Sequence, residues 1–245
     1  MLADIWIFHR VGGAILSRWV HFLAGITWIG LLYYFNFVQV PSFALFEAGP
    51  RTEAVRKLVP RALWWFRWAA ALTVLSGVGI LAAQEQLDKA SYFITPPGLS
   101  ILTGIFLGLI MFGNVWLVIW PNQQIVIASA ERVAAGGEAD PAAATAGRKA
   151  LLASRTNTMF SFPLLFFMGA TSHFAGVFTR DSSGRRVAYY LVTLVGVGIL
   201  ELNALGLVAG LTGPTKRYLE THRDTIIAGF ALAVIFYIGF QVLFG

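Results

Sequence analysis

Two histidines lie inside long apolar runs of this sequence, where an imidazole is unusual. His21 stands in WVHFLAG, and His173 follows FFMGATS. Ionisable side chains inside membrane-length apolar runs are costly, and they usually serve a function or bond to a neighbouring group. Imidazole nitrogens are also common ligands of haem iron and of copper. His21 and His173 are therefore the first candidate cofactor-binding and metal-ligating residues.

Each histidine has a glycine one turn deeper on the same face of its predicted helix. Gly25 follows His21 by four residues and Gly169 precedes His173 by four, and residues four apart share a helix face. A missing side chain beside an axial imidazole leaves room for a flat macrocycle, and Trp28 continues the His21 face. The spacing predicts a haem b between the two histidines. Copper is the alternative, and a helix cap or a bond to a neighbouring carbonyl would be the purely structural role.

A carboxylate and an amide also occupy the middle of an apolar run, in GILELNALGL. Glu201 lies about 15 Å from the nearer end of its run at 1.5 Å per residue. An unpaired carboxylate at that depth is strongly disfavoured. Glu201 and Asn203 are therefore candidates for a proton relay, or for a hydrogen bond that holds helices together.

Composition places the chain among polytopic membrane proteins. Of its 245 residues, 57% are hydrophobic and only 12% are charged, and the mean hydropathy is +0.70. The absence of cysteine excludes thiolate metal ligands, iron–sulfur clusters and covalently attached haem. The net charge of +6 is scattered between apolar runs, so we expect a lipid bilayer as partner and no nucleic acid.

Six runs have spanning length, which predicts an all-α membrane bundle of about six transmembrane helices. Residues 1–16 are predicted to form an interfacial segment, and 17–245 a single membrane domain with a cytoplasmic loop at 121–158. Within that loop, GGEADP predicts a break between two short helices. The predicted spans are 17–40, 62–83, 99–120, 159–178, 187–211 and 225–244.

Lysine and arginine are unevenly divided between the two predicted ends of the bundle. Of the 18 basic residues, twelve fall on the side of the loops that follow spans one, three and five. The positive-inside rule puts those loops in the cytoplasm, and hence both termini in the periplasm of a bacterial inner membrane. His21 and His173 then lie in the outer leaflet, about 3 Å below Trp19 and about 7 Å below Phe178.

Four stretches resemble the membrane (N-terminal) domain of the PuuD-type bacterial urate oxidases. They are HFLAGITWIGLLYYFNFVQVPSF, IWPNQQIVI, SRTNTMFSFPLLFFMGATSHF and ELNALG, and they contain His21, His173, Glu201 and Asn203. In that family the membrane domain precedes a C-terminal cytochrome c. We expect this chain to lack that cytochrome, since it has no cysteine to attach a haem.

The resemblance implies a membrane electron-transfer domain, an oxidoreductase of the urate oxidase type that works with a separate periplasmic cytochrome c. A non-catalytic accessory subunit, packed in a larger respiratory or photosynthetic membrane complex, is the second hypothesis. A transporter ranks below both, because paired discontinuous helices with charged midplane sites are missing from the sequence.

Overall fold

The computed structural model describes residues 9–245, and this part of the chain is helical with no strand. The predicted all-α class is thereby confirmed. The predicted interfacial segment falls partly outside the described residues, at 1–8, while 10–16 form the first turns of a long helix. The helices are α1 (Arg10–Tyr33), α2 (Val40–Leu45), α3 (Ala48–Lys57), α4 (Val59–Ala83), α5 (Pro96–Gly113), α6 (Trp120–Ala134), α7 (Ala142–Ala170), α8 (Ser183–Ala204) and α9 (His222–Phe244).

Two π-helical segments continue helices past the point where a proline would break them. Tyr34–Gln39 joins α1 to α2, and Asn114–Ile119 joins α5 to α6. Pro41 and Pro121 follow directly, at the start of the next α-helix. A proline ring clashes with the carbonyl four residues earlier, and the wider π turn relieves that clash without ending the helix.

Five helical stretches are long and apolar enough to cross a membrane, which makes this a multi-pass membrane protein. The sixth predicted run, 159–178, covers the second half of α7 and the turn that follows it, and α7 is not one of these five stretches. Helix α7 is the most buried helix of the described chain and packs against α5, α6 and α9. Much of α7 faces protein rather than lipid, so those faces need not be apolar. The five stretches are Arg10–Leu45, Ala48–Ala83, Pro96–Ala134, Ser183–Ala204 and His222–Phe244.

The long helices run alternately up and down, which defines two ends of the bundle. Helix α4 is antiparallel to α1, as the contacts Ser17–Gly79 and Phe35–Phe66 show. Helix α7 is antiparallel to α5, as Ser100–Phe167 and Asn114–Asn157 show. Helix α9 is parallel to α7, as Phe162–Phe230 and Phe167–Phe240 show. We call the end with His21, the turn at 84–95 and His173 the histidine end. The end with the segments at 46–58, 135–141 and 205–221 is the basic end.

Two predicted boundaries differ from the structure. The predicted loop at 121–158 is mostly helical: GGEADP does break the chain at 135–141, but α6 continues α5 through the π segment, and α7 runs without a break into the fourth predicted span. The run predicted to end at 211 ends at Ala204 instead. Gly206 and Gly210 have φ of +79° and +67°, a left-handed conformation that ends a helix.

Candidate functional site

His21 lies near the histidine end of α1 and faces α4. Its Nδ1 is 2.9 Å from the backbone oxygen of Thr73 and 3.2 Å from the Ser76 hydroxyl. A carbonyl oxygen can only accept, so Nδ1 carries the hydrogen and donates it. In the neutral ring the lone pair therefore resides on Nε2. A histidine fixed in this way by a backbone carbonyl is oriented as metal-ligating histidines are.

Helix α4 is shaped to receive the imidazole ring. A methyl group at Gly77 would lie 3.3 Å from Cε1 of His21, so the absent side chain allows the close approach. The Ser76 hydroxyl donates to the Leu72 carbonyl at 2.6 Å, which leaves its lone pairs facing the ring. These two residues belong to SGVGIL, a stretch with no sequence signal for a histidine partner.

Open space and an unpartnered donor lie further along the His21 face. No atom would lie within 4 Å of a Cβ at Gly25, apart from its own helix. Trp28 is only 2% exposed, and its indole nitrogen has no hydrogen-bond partner. A buried N–H without a partner is rare enough to need an explanation, and an absent ligand is one.

His173 closes the 3₁₀ turn that follows α7. Its ring is exposed, and Nδ1 is 3.2 Å from the hydroxyl of Ser172. Gly169, one turn earlier, is exposed and also borders open space. Both histidines are at the histidine end, but they form no hydrogen bond or ring contact with each other. Within residues 9–245 there is no group of three or more His, Cys, Asp or Glu that could hold a metal ion by itself.

Glu201 joins a buried amide network that links three helices. Nδ2 of Asn114 donates to Glu201 at 3.1 Å and to the Asn157 side-chain oxygen at 2.9 Å. Asn157 in turn donates to the carbonyl of Met111 at 2.9 Å. Asn114 and Asn157 are 3% and 0% exposed, so α5, α7 and α8 share this network deep in the bundle.

A parallel contact links the other π segment to α7. Asn36 lies in Tyr34–Gln39 and donates to the Leu32 carbonyl at 2.9 Å and to the Ser154 hydroxyl at 2.8 Å. In both π-interrupted helices, a carbonyl just before the π segment accepts from a side-chain amide. The changed register of a π turn leaves carbonyls free for such bonds. Both π segments therefore serve to dock polar groups against the middle of α7.

Asn203 makes contacts that the sequence did not reveal. Lys216, in the 3₁₀ segment Pro214–Leu219, is fully buried and donates to the Asn203 side-chain oxygen at 2.5 Å. The Asn203 amide donates to the Thr215 carbonyl at 2.9 Å and to the Tyr218 hydroxyl at 3.0 Å. Burial lowers the pKa of Lys216, and the charge of Arg148 acts in the same direction. Sequence reasoning counted Lys216 only as a loop charge.

Comparison with known proteins supports the resemblance seen in the sequence. The family model described as urate oxidase N-terminal matches residues 90–203, just under half of the chain. The matched range contains His173, Gly169, Glu201 and Asn203, and it leaves out His21 with Gly25 and Trp28. No curated protein and no solved structure matches the chain.

Proposed function

Since this chain carries a stretch similar to the N-terminal domain of urate oxidases, we propose that it is a membrane electron-transfer domain that holds a haem b. His21 is the primary ligand, and the carbonyl of Thr73 is the observation that carries the proposal. That carbonyl accepts the Nδ1 hydrogen and leaves Nε2 free to coordinate.

The surroundings of His21 fit such a group. Gly25 leaves the adjacent face of α1 open, and the Trp28 indole offers a buried donor without a partner. A bound haem would supply one-electron chemistry. The residues of the chain orient the imidazole: Gly77 admits the ring to α4, and Ser76 and Thr73 hold its Nδ1 edge.

His173 is proposed as the second ligand, because it shares the histidine end with His21. Its exposed ring and the open space at Gly169 leave it free to turn toward a bound group. Copper on the same two imidazoles is the alternative. If the positive-inside rule holds, this end faces the periplasm of a bacterial inner membrane, where a separate cytochrome c exchanges electrons with the domain.

Urate is the first reductant to test, because the matched family model is named for a urate oxidase. Glu201 and Asn203 are assigned to helix packing rather than to a proton relay. The Glu201 carboxylate is bonded to the amide of Asn114, and Asn203 is itself an amide, which is a poor carrier of protons.

The test is a reduced-minus-oxidised absorption spectrum of protein purified from its native membranes, with a pyridine haemochrome assay and metal analysis. The proposal expects a b-type spectrum with about one haem per chain. His21→Ala should abolish the Soret band, and His173→Ala should abolish it or leave a five-coordinate spectrum. His222→Ala, at the basic end, is the matched control and should keep the wild-type spectrum.

Full haem retention in His21→Ala would overturn the ligand assignment. A wild-type protein with neither haem nor copper, which migrates in a large complex in mild detergent, would favour the accessory-subunit hypothesis. Copper without haem, lost in both histidine variants, would select the copper alternative. A haem signal that urate does not reduce would keep the domain as an electron carrier with another donor.

A further inference from the structure

A basic and aromatic surface covers the start of α4 at the basic end. Two shallow clefts meet there and share Pro60 and Arg61. The larger cleft, of about 640 Å³, also borders Arg56 and Lys57, and the smaller, of about 390 Å³, borders two tryptophans. No acidic side chain lines either cleft, and we call the two together the α4 cleft.

Positive charge exceeds negative charge around the α4 cleft. Glu53 forms ion pairs with both Arg56 and Lys57, at 2.5 Å each. A single carboxylate therefore faces two cations. In the part of the chain that the structure describes, Arg61 has no ion-pair partner. The cleft thus offers an anion one free guanidinium and two further cations that share one counter-charge.

Tryptophans form the wall of the α4 cleft toward the bundle. Trp64 and Trp65 are 48% and 61% exposed and pack edge to face, with ring centroids 5.0 Å apart. Trp68 continues the column at 6.5 Å from Trp64 and contacts Trp116. Exposed indoles of this kind are typical of the headgroup level of a bilayer.

A further cation is held inside the aromatic column. The guanidinium carbon of Arg67 lies 3.8 Å from the centroid of Trp120 and 4.9 Å from that of Trp116. Cation–π contacts of this length hold Arg67 in place without a carboxylate. The column therefore keeps a positive potential below the α4 cleft, on the side where acyl chains would begin.

We propose that the α4 cleft binds a phospholipid with an anionic headgroup. Arg61 contacts the phosphate, Arg56 and Lys57 contact the rest of the anionic headgroup, and the glycerol and upper acyl chains lie along Trp64 and Trp65. Cations alone would serve free phosphate equally well. The exposed indoles beside them offer apolar contact at the level of the headgroups, which favours a ligand with acyl chains over free phosphate. Basic pockets beside membrane helices on the cytoplasmic side bind such lipids.

This proposal does not depend on the redox proposal, since the α4 cleft is at the opposite end of the bundle from His21. Native mass spectrometry of the detergent-solubilised protein tests it. Phosphatidylglycerol, phosphatidylcholine and soluble glycerol phosphate are titrated separately. We expect phosphatidylglycerol to bind at least tenfold more tightly than phosphatidylcholine, and glycerol phosphate not to bind at micromolar concentration.

Variants separate the charge from the aromatic wall. Arg61→Gln should weaken phosphatidylglycerol binding about fivefold, since one basic residue near anionic lipid contributes on the order of 1 kcal/mol. Trp65→Ala should weaken phosphatidylglycerol and phosphatidylcholine alike. Arg217→Gln is the matched control: this arginine is exposed at the same end, outside the α4 cleft, and its loss should leave binding unchanged.

Equal affinity for the two lipids would overturn the proposal, and so would an Arg61→Gln variant as strong as wild type. Binding of glycerol phosphate as tight as that of phosphatidylglycerol would overturn the lipid assignment in favour of a site for free phosphate. All variants carry exposed or surface substitutions, and an unchanged elution volume and helical circular dichroism establish that each one is folded.

Discussion

The polar groups around Asn157 and those around His21 are arranged in opposite ways. Asn157 accepts from Asn114 and donates to a backbone carbonyl, so both the oxygen and the nitrogen of its side-chain amide are hydrogen-bonded. His21 uses one ring nitrogen and leaves the other free, and Trp28 leaves its N–H without a partner. A closed network holds helices together. Incomplete bonding beside open space is where a ligand can add contacts, and for that reason the proposed haem is placed at His21.

The strongest test of this contrast removes the closed network. Asn157→Leu removes one of the two acceptors of the Asn114 amide and the side-chain donor to the Met111 carbonyl, both in the buried core. We expect the free energy of unfolding to fall by about 1–3 kcal/mol, since two buried hydrogen bonds are lost. The loss is measured by denaturant titration in detergent micelles.

Thr158→Val is the control for that substitution. Thr158 is equally buried, but its hydroxyl donates only to the carbonyl of Ser154 in the preceding turn. Its loss should cost well under about 1 kcal/mol. Equal losses in the two variants would mean that the Asn157 network contributes no more than a local helix bond.

Two glycines of α9 give a second test, because one is closely packed and the other borders open space. A methyl group at Gly229 would press on the ring of Phe162 and lie 3.1 Å from the carbonyl of Met159, which cannot move aside. Gly229→Ala should therefore destabilise the contact between α7 and α9 by about 1–3 kcal/mol. Gly239→Ala, on the same helix but beside open space, should leave the unfolding midpoint unchanged or slightly raised. Equal midpoints for the two variants would contradict the packing described at Gly229.

The open glycine at the proposed site should respond differently. A Cβ at Gly25 would meet no atom within 4 Å outside its own helix, so we expect Gly25→Leu to leave the midpoint for unfolding of the protein without cofactor unchanged. The added side chain would occupy the face reserved for the macrocycle, and haem content should fall at least fivefold. Gly30→Leu, on the same helix and equally open, should keep its haem. Unchanged haem content in Gly25→Leu would remove that face from the site.

Hydropathy and helix-breaking residues predicted most of the fold. Six apolar runs, the break at GGEADP and the common end of His21 and His173 all follow from local sequence. The central place of α7 could not be predicted, because it depends on which faces the other helices present to it. The partner of His21 could not be predicted for the same reason. Thr73 contributes only a backbone carbonyl, 52 residues away, and every residue has such a carbonyl whatever its side chain.

The candidate site was predicted in part, from polar side chains inside apolar runs. The histidines stood out because an imidazole is rare in an apolar run. Glu201 stood out likewise, and its bond to Asn114 gives it a packing role. Lys216 was missed because loop lysines are usually solvated, and only the fold shows that this one turns inward to Asn203. Rotation about a helix axis, which decides each of these contacts, is not encoded in hydropathy.

The smallest expected effect concerns the ion pair that fastens the segment 205–221 to α7. Arg148 donates to both carboxylate oxygens of Glu220, at 2.9 and 2.5 Å, and these bonds hold the pKa of Glu220 below its usual range. A lowered carboxylate pKa gives stability that is complete above the ordinary carboxyl pKa and is lost as the pH falls through the lowered value. Glu220 is 44% exposed, so solvent screening keeps the contribution below about 1 kcal/mol.

Acid titration of the unfolding free energy measures this contribution. Between pH 6 and pH 3, wild type should lose slightly more stability than Glu220→Gln, which has no carboxylate to protonate at this position. Glu138→Gln, exposed in the turn between α6 and α7, should keep the wild-type pH dependence. A large acid effect at Glu220 would make this exposed pair as important to the bundle as the buried amides, and closed bonding would then no longer distinguish the structural polar groups from the proposed site.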